Sequence, residues 1–257
     1  MATLLALFTG SGAWAAEVAL EERLDALVEA YDAIERHDGR YLYLKDDGPP
    51  ILIDDGREKS HQEKLKSADV EDMLSQVYPL GRCGMPPARN ADPGRIRDEA
   101  LMRRLFGNSK KEVRASTRAV PWLRGKVRFT RSAGADEALE RVAKDLAELP
   151  AEVRRPALKS NGTFVWRPIA GTKRLSVHSF AAAIDLDIKY ADYWRWAKPR
   201  PKPGKVSEYK NRMPLEIVEV FERHGFIWGG KWYHYDTMHF EYRPEMIAIG
   251  RLTGEGC

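Results

Sequence analysis

Apolar residues recur at helical spacing across residues 17–37, where Val18, Leu20, Leu24, Leu27, Val28 and Tyr31 share one face and glutamates occupy the other. This pattern predicts an amphipathic helix that stops at His37-Asp38-Gly39. The period then changes: YLYLKDDGPPILIDDG (41–56) predicts two short strands around Asp-Gly-Pro-Pro. A second helix is expected across SADVEDMLSQVYPLG (67–81), with Ser67 as its N-cap. Residues 83–98, rich in Gly, Pro, Asn and Asp, read as a loop and a soft boundary. Beyond it, DEALMRRLFG (98–107) predicts a helix and KVRFTRS (126–132) a strand. DEALERVAKDLAELP (136–150) predicts a helix with Leu139, Val142, Leu146 and Leu149 on one face. A turn-rich segment (160–172) and a Lys/Pro-rich loop (198–205) flank the next strand. A helix follows from Pro214 to about His224, with Pro214 suited to the first turn and Gly225 to the position past the end.

Two segments combine strand periodicity with ionisable groups. In AAIDLDI (182–188), alternation places Ala183, Asp185 and Asp187 on one face and Ile184, Leu186 and Ile188 on the other. In MHFEY (238–242), His239 and Glu241 share a face, opposite Met238, Phe240 and Tyr242. If both strands lie in one sheet, Asp185 and His239 project into the same cleft, and His178 can fold over it from the preceding loop. Two imidazoles and one carboxylate form a ligand set that zinc accepts, with a fourth position left for water. A two-histidine, one-carboxylate iron oxygenase site is the physical rival, disfavoured by too few strands for a jelly roll. Asp236, three residues before His239, is placed to act as a general base. Arg167 is the first candidate to hold an anionic substrate group or oxyanion, and Arg174 the second. His234 is expected to line the cleft or orient a ligand. Asp187 and Glu241 read as supporting or strand-surface groups. His37 and His224 suit helix ends, and His61 an exposed charged segment. Trp194, Trp196, Trp228 and Trp232 read as core and cleft-wall packing.

The chain of 257 residues, 43% apolar and 31% charged, can bury one good core with a small accessory region. A net charge of +4, interspersed and without a basic block, offers weak attraction for anionic substrates and no nucleic-acid footprint. No stretch predicts a transmembrane helix. Residues 1–15, uncharged from residue 2 and ending in Ala13-Trp14-Ala15, resemble a signal peptide without its basic start. Export, to the periplasm, is therefore expected. In an oxidising compartment Cys83 and Cys257 could pair; two unpaired thiols is the equal alternative.

SVHSFAAAID (176–185) resembles the SxHxxGxAxD signature of the M15 zinc peptidases, the D-alanyl-D-alanine carboxypeptidase and dipeptidase group, with Ser176, His178, Ala183 and Asp185 in register. DTMHFE (236–241) resembles that family's second motif, an acid, two residues, then a histidine. The resemblance spans roughly residues 160–245. It implies His178, Asp185 and His239 as zinc ligands and Asp236 as base, with Arg167 in the arginine-bearing loop. Arg174, Ser176 and His234 are then the substrate-binding candidates. Ala181 stands where the family has glycine, a position that would suit positive φ.

The expected fold is α+β, a small antiparallel sheet with flanking helices like that of the D-Ala-D-Ala peptidases. The expected organisation is a leader (1–15), an N-terminal helical and hairpin region (16–98) and a peptidase domain (99–257). The expected function is zinc-dependent hydrolysis of peptidoglycan stem peptides, cutting either D-Ala-D-Ala ends or L-Ala-D-Glu bonds. Two alternatives stand beside it: a non-catalytic, zinc-stabilised wall-binding module and a cytosolic hydrolase of small dipeptides.

Overall fold

A computed structural model describes residues 18–82, 84–169, 172, 174–202, 204–206 and 208–254. Residues 1–15, expected to form a leader, lie outside the described residues, as do Cys83 and Cys257.

The chain opens with helix α1 (Leu20–Ala30), then forms a three-stranded antiparallel sheet of β1 (Ile34–His37), β2 (Tyr41–Leu44) and β3 (Ile51–Leu52) in that order. The helix expected to reach residue 37 therefore ends seven residues early. Tyr31 takes an extended conformation at the C-cap, and Ile34, Arg36 and His37 pair with β2 instead. β-Branched Ile34 is better placed on the pleated surface than in a final helical turn.

Next come α2 (His61–Ser67) and α3 (Val70–Leu74). Here too the expectation is corrected: Ser67 ends α2, and Asp69 caps α3 by accepting the Asp72 amide. The second half of the expected helix is irregular chain leading to Pro79.

α4 (Glu99–Phe106) is capped by Asp98, whose carboxylate accepts from the Leu101 amide at 2.6 Å. α5 (Lys110–Ala115) follows, then the hairpin β4 (Thr117–Trp122) and β5 (Gly125–Thr130). α6 (Ala135–Glu148) packs across this hairpin and against α8 (Leu215–Arg223). α7 (Ala151–Arg154) leads to the second main sheet, formed by β6 (Ser160–Gly162), β7 (Ala183–Leu186), β8 (Phe226–Trp228) and β9 (His239–Tyr242). Its order is β6-β7-β9-β8, antiparallel throughout. α9 (Pro244–Leu252) closes the described chain and packs on α1. The fold is α+β. No helix among the described residues is long and apolar enough to cross a membrane.

Alternation along β7 and β9 divides this sheet into two chemical faces. Ile184, Leu186 and Phe240 pack into a core with Leu139, Val142 and Leu146 of α6 and Ile217, Val218 and Phe221 of α8. The Phe221 and Phe240 rings stack 3.9 Å apart. The other face carries Ala183, Asp185, His239 and Glu241. A second core beside it joins Leu175, Val177, Phe180, Ala181, Ala182 and Ile249 to Leu24, Leu27, Tyr31, Leu42, Ile53 and Leu74. That core therefore takes residues from both sides of residue 98.

Candidate functional site

Asp185 and His239 are direct cross-strand partners in the β7–β9 register, which puts their side chains on one face. His178 sits in a 3-10 turn, Val177–Phe180, just before β7. That turn ends at Ala181, which is left-handed, with φ +53° and ψ +28°. The positive φ anticipated for this position is present, carried by alanine at a cost of about 1 kcal/mol. The Ala181 amide donates to the His178 carbonyl at 3.2 Å, so the strained residue closes the turn that aims His178.

Three donor atoms converge: His178 Nε2 and His239 Nδ1 are 3.2 Å apart, His239 Nδ1 and Asp185 Oδ1 2.8 Å, and His178 Nε2 and Asp185 Oδ1 3.2 Å. The histidine side chains are buried, and Asp185 is 20% exposed, so the focus opens on the aspartate side. Hydrogen-bond polarity around it fits a cation. His178 Nδ1 faces the Thr163 carbonyl at 3.2 Å and His239 Nε2 faces Glu241 Oε1 at 2.9 Å. Both remote nitrogens meet acceptors, so they hold protons there and turn the other nitrogens toward the focus. Burial works against charge on His239, but its hydrogen bonds to Asp185 and Glu241 overcome this and raise its pKa to about 10. A bound cation would replace the proton between Nδ1 and Asp185.

Asp236 lies on the turn before β9. Its amide donates to Gly229 O at 2.9 Å, and its carbonyl accepts from the His239 amide at 3.2 Å. Its Oδ1 is buried without a hydrogen-bond partner. Burial raises its pKa to about 6; His239 opposes that shift and Asp185 adds to it. An unpartnered buried carboxylate is costly and chemically available, which suits a group that takes and returns a proton.

The remaining candidates divide. The Arg167 backbone is pinned, its amide donating to Ser179 Oγ at 2.9 Å and its carbonyl accepting from the Ser176 amide at 3.0 Å. Its side chain is exposed and free to engage a ligand. Ser176 is buried at the start of the His178 turn. Two substrate-binding expectations are corrected. Arg174 donates to the carbonyls of Leu65 and Arg95 at 2.6 and 2.9 Å and is buried, so it joins segments of the protein. His234 is 2% exposed, with Nδ1 on Asp92 at 2.7 Å and Nε2 accepting from the Gly204 amide at 3.1 Å.

His61, Asp92 and His234 form a second His–Asp–His group. Its polarity is the reverse of the first. The Gly204 N–H leaves the His234 proton on Nδ1, where it is donated to Asp92, and no lone pair is turned inward from that ring. This group is a hydrogen-bonded clasp between α2, the 84–98 loop and the 229–238 loop.

The 84–98 loop, read from sequence as a boundary, also supplies Arg95 and Arg97. Arg95 is partly exposed, donates to His234 O at 3.1 Å, lies over the Trp232 ring and acts electrostatically on Asp236. Arg97 pairs with Glu241 at 3.3 Å. Their local sequence, GRIR (94–97), carries no signal that would have found them. Of the tryptophans, Trp194, Trp228 and Trp232 are buried as expected, whereas Trp196 is 46% exposed.

Residues 170–242 match a peptidase family model described as D-alanyl-D-alanine carboxypeptidase. No curated protein matches the chain. No solved structure matches it either.

Proposed function

We propose, from the match of residues 170–242 to a family model described as D-alanyl-D-alanine carboxypeptidase, that the chain is an M15-type, zinc-dependent hydrolase of peptidoglycan stem peptides. One observation carries the zinc assignment: three donor atoms within 3.2 Å of each other, their histidines turned by acceptors behind them. Two imidazoles and a carboxylate match catalytic zinc, which keeps an open position.

His178, Asp185 and His239 would hold the metal. Bound there, zinc supplies Lewis acidity toward a peptide carbonyl and toward water. Asp236 takes the proton of the attacking water on a carboxylate oxygen and delivers it to the nitrogen of the departing amine. Arg167, with its exposed guanidinium on a pinned backbone, binds a terminal carboxylate of the peptide. Arg95 is the second cation available for this role, on the side of Asp236 and Trp232. Ser176 and Ser179 hold the loop bearing Arg167 against the His178 turn. An exported, periplasmic location belongs with this reading, because wall peptides lie outside the cytoplasm and residues 2–15 resemble a leader.

The test is mass spectrometry of purified muropeptides incubated with zinc-loaded protein, beside chelated protein and Asp236→Ala. Loss of terminal D-alanine is expected only with the intact zinc form; scission between L-Ala and D-Glu instead would assign the endopeptidase type. Full zinc binding with no product from any stem peptide would sink the hydrolase reading in favour of a zinc-stabilised wall-binding module.

A further inference from the structure

A line of buried charged groups leads away from the metal focus, and of its members only Glu241, the acceptor behind His239, has so far been given a part. Behind His239, Glu241 Oε1 accepts from Nε2 at 2.9 Å. The same oxygen lies 3.3 Å from Arg97 Nη1, and Glu241 Oε2 lies 3.7 Å from Arg243 Nη1. Arg243 in turn donates through Nε to Glu245 at 2.5 Å, and Glu245 accepts from the Tyr31 hydroxyl at 2.7 Å. Every member is buried: Glu241 is 2% exposed, Arg97 6%, Arg243 0%, Glu245 1% and Tyr31 2%. Tyr31 and Arg97 precede residue 99; the other members follow it.

Burying this many charges is unfavourable unless each is paired, and replacing them by apolar groups is often neutral for stability. Their arrangement has a consequence for His239. A carboxylate can only accept, so Glu241 demands a proton on Nε2. That leaves Nδ1, on the Asp185 and His178 side, as the atom free to give a lone pair. Without the carboxylate, the ring can place its proton on either nitrogen or turn over. Arg97 and Arg243 bracket Glu241 and hold its charge where the ring needs it.

Resting on the zinc reading above, we propose that Glu241 is a positioning residue that commits His239 to metal binding through Nδ1, and that Arg97 makes the segment before residue 99 part of this control. Carboxylates behind metal-bound histidines affect metal affinity by about 10–100-fold. The contribution acts through His239 and not on substrate.

The experiment measures zinc affinity of the full chain by competition with a chromogenic chelator, for wild type, Glu241→Gln and Arg97→Gln. Long-range 15N–1H imidazole spectra of the zinc-loaded wild type read which His239 nitrogen keeps its proton. Expected results are a proton on Nε2 in the loaded wild type, an affinity about 10–100-fold weaker in Glu241→Gln and a smaller loss in Arg97→Gln, with circular dichroism unchanged. Adding a carboxylate back as Glu241→Asp should recover part of the loss, which a merely space-filling role would not do. Wild-type zinc binding with equal affinity in Glu241→Gln overturns the inference alone. A proton on Nδ1 in the loaded wild type does the same, and needs no variant to fold. A wild-type chain that takes up no zinc sinks the zinc reading itself, and this inference with it.

Discussion

Asp236 concentrates the conflict between stability and chemistry. Its Oδ1 is buried without a partner and its pKa is raised from 3.8 to about 6, by burial first. A carboxyl raised in the folded state binds protons more tightly there than in the unfolded chain. Its contribution to stability is therefore fully present below about pH 4 and lost as pH rises through about 6. We predict that metal-free Asp236→Asn is more stable than metal-free wild type above pH 6, by on the order of 1–3 kcal/mol. The difference should fade below pH 4, as read from urea midpoints across pH. A constant difference at all pH values would mean that the charge of Asp236 is not the source of the cost. Ala181 makes the same point more weakly: the left-handed turn that aims His178 is kept although alanine is strained there. The donor residues were readable because alternation and the two motifs are local. The roles of Arg174 and His234 were misread because a side chain's partners are not: Arg174 reaches Leu65 and Arg95, and His234 reaches Asp92.

At the level of elements, the site depends on the sheet face it does not occupy. Phe240 lies between His239 and Glu241 in sequence and points the other way, into the stack with Phe221 of α8. Phe221 also meets the Phe226 ring at 5.4 Å, so it packs against both β9 and β8. Phe221→Ala should cost about 3–5 kcal/mol and weaken zinc binding as well, because the β7–β9 register that opposes Asp185 to His239 loses its support. Chemical denaturation and chelator competition on the same variant check the two effects, and stability loss with unchanged zinc affinity would show that the two faces are independent. Strand and helix identities were largely legible where the period was sustained, as in α6, α8 and β7. The end of α1 and the cap of α3 were not, since pairing of Ile34, Arg36 and His37 with β2 and the Asp69 cap outweigh local helical spacing.

For the whole molecule, the segment before residue 99 and the segment after it share one core and one charge network. Leu24, Leu27 and Tyr31 pack with Val177, Phe180 and Ile249, while Arg97 and Tyr31 partner Glu241 and Glu245. A fragment of residues 99–257 should therefore not fold cooperatively: it would expose half of that core and strip Glu241 of Arg97 and Glu245 of Tyr31. Amide dispersion in NMR spectra and binding of a hydrophobic dye test this, and a well-dispersed spectrum with a sharp thermal transition would show that the two regions are separable.

The sequence by itself determined the α+β class, the two faces of β7 and β9, the His178–Asp185–His239 donor set and the position of Asp236. The strand faces and the acid-to-histidine spacing follow from local periodicity, which the chain expresses as soon as a strand or turn forms. The donor set came from the two motifs, and its convergence needed β7 to pair with β9. Only the tertiary structure decided which nitrogens face the focus and that Asp236 Oδ1 has no partner. It also decided that the second His–Asp–His group is a clasp and that Arg97 stands behind Glu241, 144 positions away. Those properties depend on which acceptor or donor another segment brings to a side chain, and on water being excluded once it arrives. Neither leaves a trace in periodicity.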